Sequence, residues 1–121
     1  MVNLFLVMAG GALGAGARYL VGLSFAGARY PWGTLAVNIV GALAMGLLAG
    51  VIAKGLAGEP ARLLLGVGVL GGFTTFSAFS LELVTMAERG ALATALGYAL
   101  ASVIGSVLAL AAGLAAVRAI A

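Results

Sequence analysis

The chain has 121 residues, of which 64% are hydrophobic and only 7% are charged. An average soluble domain is about 25% charged, so this composition predicts an integral membrane protein. Cys, His and Asp are absent, and the side-chain carboxylates are Glu59, Glu82 and Glu88. This inventory removes thiolate and imidazole metal sites and most general bases, so we expect no enzyme. The net charge of +3, without a basic run, argues against nucleic acid as a partner.

Four apolar stretches follow one another along the chain, at roughly 2–25, 33–53, 62–87 and 91–117. Each is near the ~20 residues that a membrane-spanning helix needs. Charged or helix-breaking residues separate them at 29–31, 54–60 and 88–90. Because these loops are short, neighbouring helices must run antiparallel. The sequence therefore predicts a single all-α membrane domain of four helices over residues 1–121, embedded in the lipid bilayer.

The basic residues are divided evenly between the two sides of such a domain. One side holds Arg18, Arg29 and Arg89, and the other holds Lys54, Arg62 and Arg118. A bias in Lys and Arg normally sets the orientation of a membrane protein, and three against three gives none. The balance predicts insertion in both orientations, which would permit an antiparallel homodimer. The alternative is that a feature outside this count sets one orientation.

Hydroxyl side chains recur every four residues in the fourth stretch, at Thr94, Tyr98, Ser102 and Ser106. Residues four apart lie on one face of a helix, and polar groups inside a membrane are costly and usually functional. We interpret this stripe as a track that faces water or an ion. The alternative is that the hydroxyls bond to carbonyls of their own helix.

Among the other polar residues of the apolar stretches, four are candidates for a polar path. Asn38, with Thr34 one turn before it, offers amide donors to a path or, alternatively, a hydrogen bond that fixes packing. Arg18 lies late in the first stretch, where it could attract anions in a vestibule or extend to the membrane surface. Glu82 lies about 8 Å from the end of the third stretch by helical rise. It could line the entrance of a polar path or reach the headgroups.

The segment GGFTTFSAFS, residues 71–80, lies in the middle of the third stretch. Gly71 and Gly72 permit a break, and non-helical backbone at membrane depth is tolerated where protein buries it or where it lines a cavity. Carbonyls freed at such a break can bind a small cation. Phe73, Phe76 and Phe79 recur every three residues, and the positive edge of a benzene ring could help to hold an anion. Ordinary aromatic packing is the alternative.

The chain resembles the Fluc (CrcB) fluoride channels over its whole length. Three segments carry the resemblance: GGALGAGARY at 10–19, PWGTLAVNIVG at 31–41 and GGFTTFSAFS at 71–80. The resemblance implies a passive, fluoride-selective channel that exports fluoride from the cytoplasm and confers fluoride resistance. It also implies an antiparallel dual-topology homodimer with two pores, in a bacterial or archaeal inner membrane.

The resemblance also implies roles for particular residues. The carbonyls of Gly71 and Thr74 would bind a structural Na⁺ at the dimer centre, and Phe76 and Phe79 would turn their ring edges toward fluoride. Asn38 would be an amide donor beside the path, and Arg18 would lie near the vestibule. The remaining path residues would be Thr34, Glu82, Tyr98, Ser102 and Ser106. One departure is Ala78, where the family commonly has Thr.

The main alternative is a small multidrug-resistance-type transporter, which is also small, four-helical and of dual topology. Such proton-coupled proteins need a Glu inside the first helix, and this chain has none there, so Glu82 would have to substitute. A non-conducting structural bundle is a further alternative. Packing alone, however, requires neither the hydroxyl stripe nor the glycine pair.

Overall fold

The computed structural model describes residues 1–120, which are helical apart from short connections. The first helix is Val2–Ser24, the second is Trp32–Ala53 and the fourth is Leu92–Ala119. The third span, Glu59–Glu88, is divided into two halves. All four spans are long and apolar enough to cross a membrane. This confirms the predicted all-α membrane fold with a broken third helix.

The boundaries lie close to those predicted, with the largest difference at the start of the third span. The sequence placed Glu59 and Pro60 in the preceding loop, whereas both belong to the first helical turn. Pro is tolerated there because the N–H that it lacks would have no helical partner in the first turn. Proline therefore starts this helix instead of ending the loop.

The third span enters and leaves the membrane as two helical halves of different geometry. The entry half consists of Glu59–Ala61, a π-helical stretch Arg62–Leu70, and Gly71–Phe73. The exit half is Phe76–Glu88. Between them Thr74 and Thr75 are extended, with ψ of 157° and 121°. The span is therefore interrupted for two residues near its middle.

The interruption lies at the two threonines and not at the two glycines where the sequence placed it. Gly71 and Gly72 remain helical, and the first helix packs closely against Gly72. A Cβ on Gly72 would lie 2.5 Å from the carbonyl oxygen of Gly11. Gly72 thus permits close helix approach, as small residues do in membranes. Thr75 begins the exit half, and its hydroxyl accepts a hydrogen bond from the Ala78 N–H at 3.1 Å.

Two helix pairs build the domain. The first helix packs along the entry half of the third span, and the second helix packs along the fourth. The second pair also approaches closely, since a Cβ on Gly113 would lie 2.5 Å from the Leu43 carbonyl oxygen. The exit half joins this pair through a small buried cluster of Phe79, Met86, Ala95 and Tyr98. The break therefore lies where the two pairs meet.

Candidate functional site

Asn38 on the second helix holds the backbone of the break through two hydrogen bonds. Its Nδ2 donates to the Thr75 carbonyl at 3.0 Å, and its Oδ1 accepts from the Thr75 N–H at 2.8 Å. The amide thus pairs with Thr75 as a neighbouring β-strand would. This is the packing bond that the sequence left as an alternative. One of the two N–H groups of Nδ2 is left over from this pairing.

The carbonyls of Gly71 and Thr74 lose their regular helical donors at the break. In a continuous helix they would accept hydrogen bonds from the N–H groups of Thr75 and Ala78. Those two N–H groups donate instead to the side chains of Asn38 and Thr75. Both carbonyls are therefore free of the bonds that an unbroken helix would make.

Arg18 contacts the same stretch of backbone from the first helix. Its Nε donates to the Gly72 carbonyl at 3.0 Å, and its side chain lines a cavity of about 290 Å³ that Thr34, Thr75 and Ala78 also line. The guanidinium group therefore supports the broken backbone as well as placing a positive charge beside it. The sequence did not predict this contact.

The phenylalanines of the exit half have different surroundings. The ring of Phe76 is 77% exposed on the surface of the chain, whereas Phe79 is only 6% exposed. Their centroids lie 5.5 Å apart, and Phe79 contacts Tyr98 edge to face at 5.1 Å. Phe76 thus projects at mid-membrane, next to the break, and Phe79 forms part of the core behind it.

An open groove of about 380 Å³ lies between the break and the fourth helix. It brings together many of the predicted path residues and is lined by Asn38, Thr74, Thr75, Phe76, Phe79, Ser102, Val103, Ser106 and Val107. No charged side chain is among them. The groove therefore combines hydroxyls, an amide and aromatic rings.

Ser102 is the notable hydroxyl in this groove. It is 6% exposed, and its Oγ has no hydrogen-bond partner within residues 1–120. Burying an unpaired hydroxyl is costly, and such groups are rare unless water or a ligand satisfies them. The Ser102 Oγ therefore points to a solvent molecule or an ion in the groove. Thr94, the first residue of the predicted stripe, is exposed on the same helix.

Thr34, Glu82 and Tyr98 form a second group beyond Phe79. Tyr98 is fully buried, and its hydroxyl contacts Oε1 of Glu82 at 3.4 Å. Thr34 and Glu82 line a cavity of about 240 Å³, together with Tyr30. Tyr30 packs edge to face on Tyr98, with centroids 5.5 Å apart. The Phe79–Tyr98 contact separates this group from the groove.

Sequence reasoning missed the roles of Thr75 and Tyr30. Thr75 caps the exit half and binds Asn38 through its backbone, and threonine is a favoured N-cap residue. The signal was weak because no Glu or Gln follows three residues later to complete a capping box. Tyr30 directly precedes Pro31, and the sequence pattern indicates only a loop boundary there.

Comparison with known proteins agrees with this architecture. The family described as "CrcB-like protein, Camphor Resistance (CrcB)" matches residues 5–114. A protein of Mesorhizobium japonicum is 53% identical over 94% of this chain and 94% of its own length. A protein of Sphingopyxis alaskensis is 56% identical over 98% of this chain and 97% of its own length. A protein of Phenylobacterium zucineum is 57% identical over 94% of this chain and 94% of its own length.

Each of these three relatives is named "Fluoride-specific ion channel FluC". They are bacterial, and with the four spans they identify the chain as a multi-pass membrane protein of a family that is not enzymatic. The resemblance inferred from three short segments is confirmed by matches that cover nearly the whole chain. This chain therefore belongs to the CrcB family.

Proposed function

We propose that the chain forms a passive channel that is selective for fluoride and exports it from the cytoplasm. The relatives described above are named as fluoride-specific channels. The observation that carries the proposal is the groove at the break, beside the rings of Phe76 and Phe79. There the buried Ser102 hydroxyl has no hydrogen-bond partner in the part of the chain that the structure describes. A small anion that accepts a hydrogen bond from this hydroxyl fits such a groove.

The chemistry of the groove suits a strongly hydrated small anion. Its hydration shell must be replaced by donors, and hydroxyls, an amide N–H and the positive edges of aromatic rings supply them. Conduction also requires that the ion leave again, so binding must not be too strong. The groove has no Lys or Arg in its lining. It therefore offers donors without a fixed positive charge that would trap the ion.

The channel would be an antiparallel homodimer with two pores. The exposed ring of Phe76 and the open groove beside it leave one wall of the path missing from the single chain. A second copy, related by a twofold axis, would supply that wall twice and so give two equivalent paths. The equal division of Lys and Arg between the two sides fits insertion in both orientations.

A structural Na⁺ would bind at the centre of this dimer. The carbonyls of Gly71 and Thr74 fit a hard cation because they are oxygen ligands whose helical donors bind elsewhere. Two copies meeting at the break would offer four such carbonyls. When bound, the cation would offset the negative ends of these backbone dipoles and hold the two broken helices together.

Ion efflux from liposomes tests the proposal. Purified protein is reconstituted with fluoride or chloride inside, and anion release is followed with no proton gradient applied. We expect rapid fluoride efflux and no chloride efflux. Fluoride release that requires a proton gradient would favour the transporter alternative. No fluoride efflux from a folded dimer would refute the channel.

A further inference from the structure

A third cavity, of about 250 Å³, lies at the loop end of the exit half, away from the groove and the break. It is lined by Ala28, Arg29, Pro31, Leu81, Glu82, Thr85, Met86 and Arg89. Arg29 belongs to the loop between the first two helices, and Arg89 directly follows the exit half. Two loops that are far apart in sequence thus place two guanidinium groups around one opening.

Arg29 and Arg89 form no ion pair with any residue that the structure describes. Within residues 1–120, the one ion pair joins Arg62 and Glu59 at the opposite end of the third span. Glu82 is the single carboxylate that lines the cavity with Arg29 and Arg89. Glu88 is adjacent to Arg89 in sequence but does not line the cavity. The opening therefore carries a net positive charge.

The cavity adjoins the polar path through Glu82. The same carboxylate lines the neighbouring cavity with Thr34 and contacts the buried Tyr98 hydroxyl at 3.4 Å. Tyr98 in turn packs on Phe79, which lines the groove. A chain of contacting groups therefore runs from the cationic opening to the break at mid-membrane.

We propose that Arg29 and Arg89 form the outer mouth of the path and concentrate fluoride there. This inference rests on the proposed channel function. A cleft lined by charge of one sign and walled by low-dielectric groups focuses the electric field and can raise the rate of ion entry about tenfold or more. Because Arg29 and Arg89 lie at the mouth, they attract the anion without binding it inside the narrow part of the path.

The charge can be removed in a double variant, Arg29→Gln with Arg89→Gln. Its matched control is Lys54→Gln with Arg118→Gln. Both residues are exposed and lie at the end of the helix bundle opposite to Arg29 and Arg89. In an antiparallel dimer each membrane face carries the mouth of one subunit and the Lys54 and Arg118 of the other. Both variants therefore remove the same charge from each face, but only the first removes it from the mouth.

Fluoride flux of purified dimers is measured at low and high ionic strength. The Debye length is ~30 Å at 0.01 M and ~3 Å at 1 M, so the field of the mouth acts on approaching ions only in dilute salt. We expect the mouth variant to conduct about tenfold more slowly than the parent chain at 0.01 M. At 1 M the mouth variant and the parent chain should conduct equally. The control variant should conduct as fast as the parent chain at both ionic strengths.

Three results would overturn the inference. The flux of the mouth variant could stay unchanged at 0.01 M, which is the outcome if both arginines only anchor to lipid headgroups. It could fall equally at both ionic strengths, which would indicate a change of structure. The control could fall as much as the mouth variant. If the parent chain itself conducts no fluoride, the proposed channel function fails. That result is distinct from a failure of the proposed mouth, in which the parent chain still conducts.

Discussion

Replacing Asn38 by alanine tests whether this side chain holds the break in place. The substitution removes both hydrogen bonds to Thr75, of 3.0 and 2.8 Å. It also leaves the N–H and C=O of Thr75 without the partners that the extended backbone needs at membrane depth. A continuous helix cannot simply form in their place, because Thr75 also caps the exit half.

The magnitude follows from the two bonds. Interhelical hydrogen bonds in membrane proteins are worth ~0.6 kcal/mol on average and up to about 1.7 kcal/mol. Two bonds to one backbone unit therefore contribute about 1–3 kcal/mol to the free energy of unfolding. We expect Asn38→Ala to lose this amount and to slow fluoride efflux, since the groove depends on the extended backbone.

The assay is reversible unfolding in mixed micelles, followed by helical content, with efflux measured on the same preparations. Asn3→Ala is the matched control, because it makes the same Asn-to-Ala substitution at an exposed position of the first helix. Surface substitutions of this kind usually change stability by less than ~0.5 kcal/mol. Equal unfolding free energies for the two variants would refute the clamp.

Further predictions concern the groove and the orientation. Phe76→Ile should slow fluoride efflux with little loss of stability. Phe79→Ile should slow efflux and also destabilise the buried cluster by about 0.5–3 kcal/mol, because the smaller side chain leaves space in the core. Unchanged efflux in both variants would contradict a role for the rings. Ser102→Ala should lower efflux without destabilising the fold, because the Ser102 hydroxyl has no hydrogen-bond partner among the described residues, 1–120. Efflux equal to that of the control Ser24→Ala would argue against an ion at this hydroxyl. Several Lys added to the loop at 54–60 should impose one orientation and abolish efflux; full activity in a population shown by labelling to have one orientation would exclude the antiparallel dimer.

The spans could be predicted from the sequence because hydrocarbon imposes a simple rule. About 20 apolar residues are needed to cross it, and charged residues or Pro mark the ends. Pro60 is the exception among these boundary residues. In the sequence, a proline at the end of a loop looks the same as a proline in the first turn of the next helix, where Pro60 lies. Periodicity does not distinguish these cases, so the boundary at Glu59 needed the structure.

The position of the break could not be predicted from local propensity. Two glycines are the weakest helix formers in the segment, yet both are helical. Gly72 serves the close approach of the first helix, which leaves no room for a Cβ. Thr74 and Thr75 are extended because Asn38, 37 residues away, replaces the hydrogen bonds that the helix gives up. A contact over such a distance in sequence leaves no local signal.

The break shows how a polar backbone can be opened inside a membrane at limited cost. Two of the side chains that satisfy one group of the backbone also free another. Asn38 takes the N–H of Thr75 from the Gly71 carbonyl, and the Thr75 hydroxyl takes the N–H of Ala78 from the Thr74 carbonyl. Arg18 satisfies the Gly72 carbonyl that lies between them. Which carbonyls are left over is thus determined by the side chains that surround the break, and the carbonyls of Gly71 and Thr74, which the proposed cation needs, are among them.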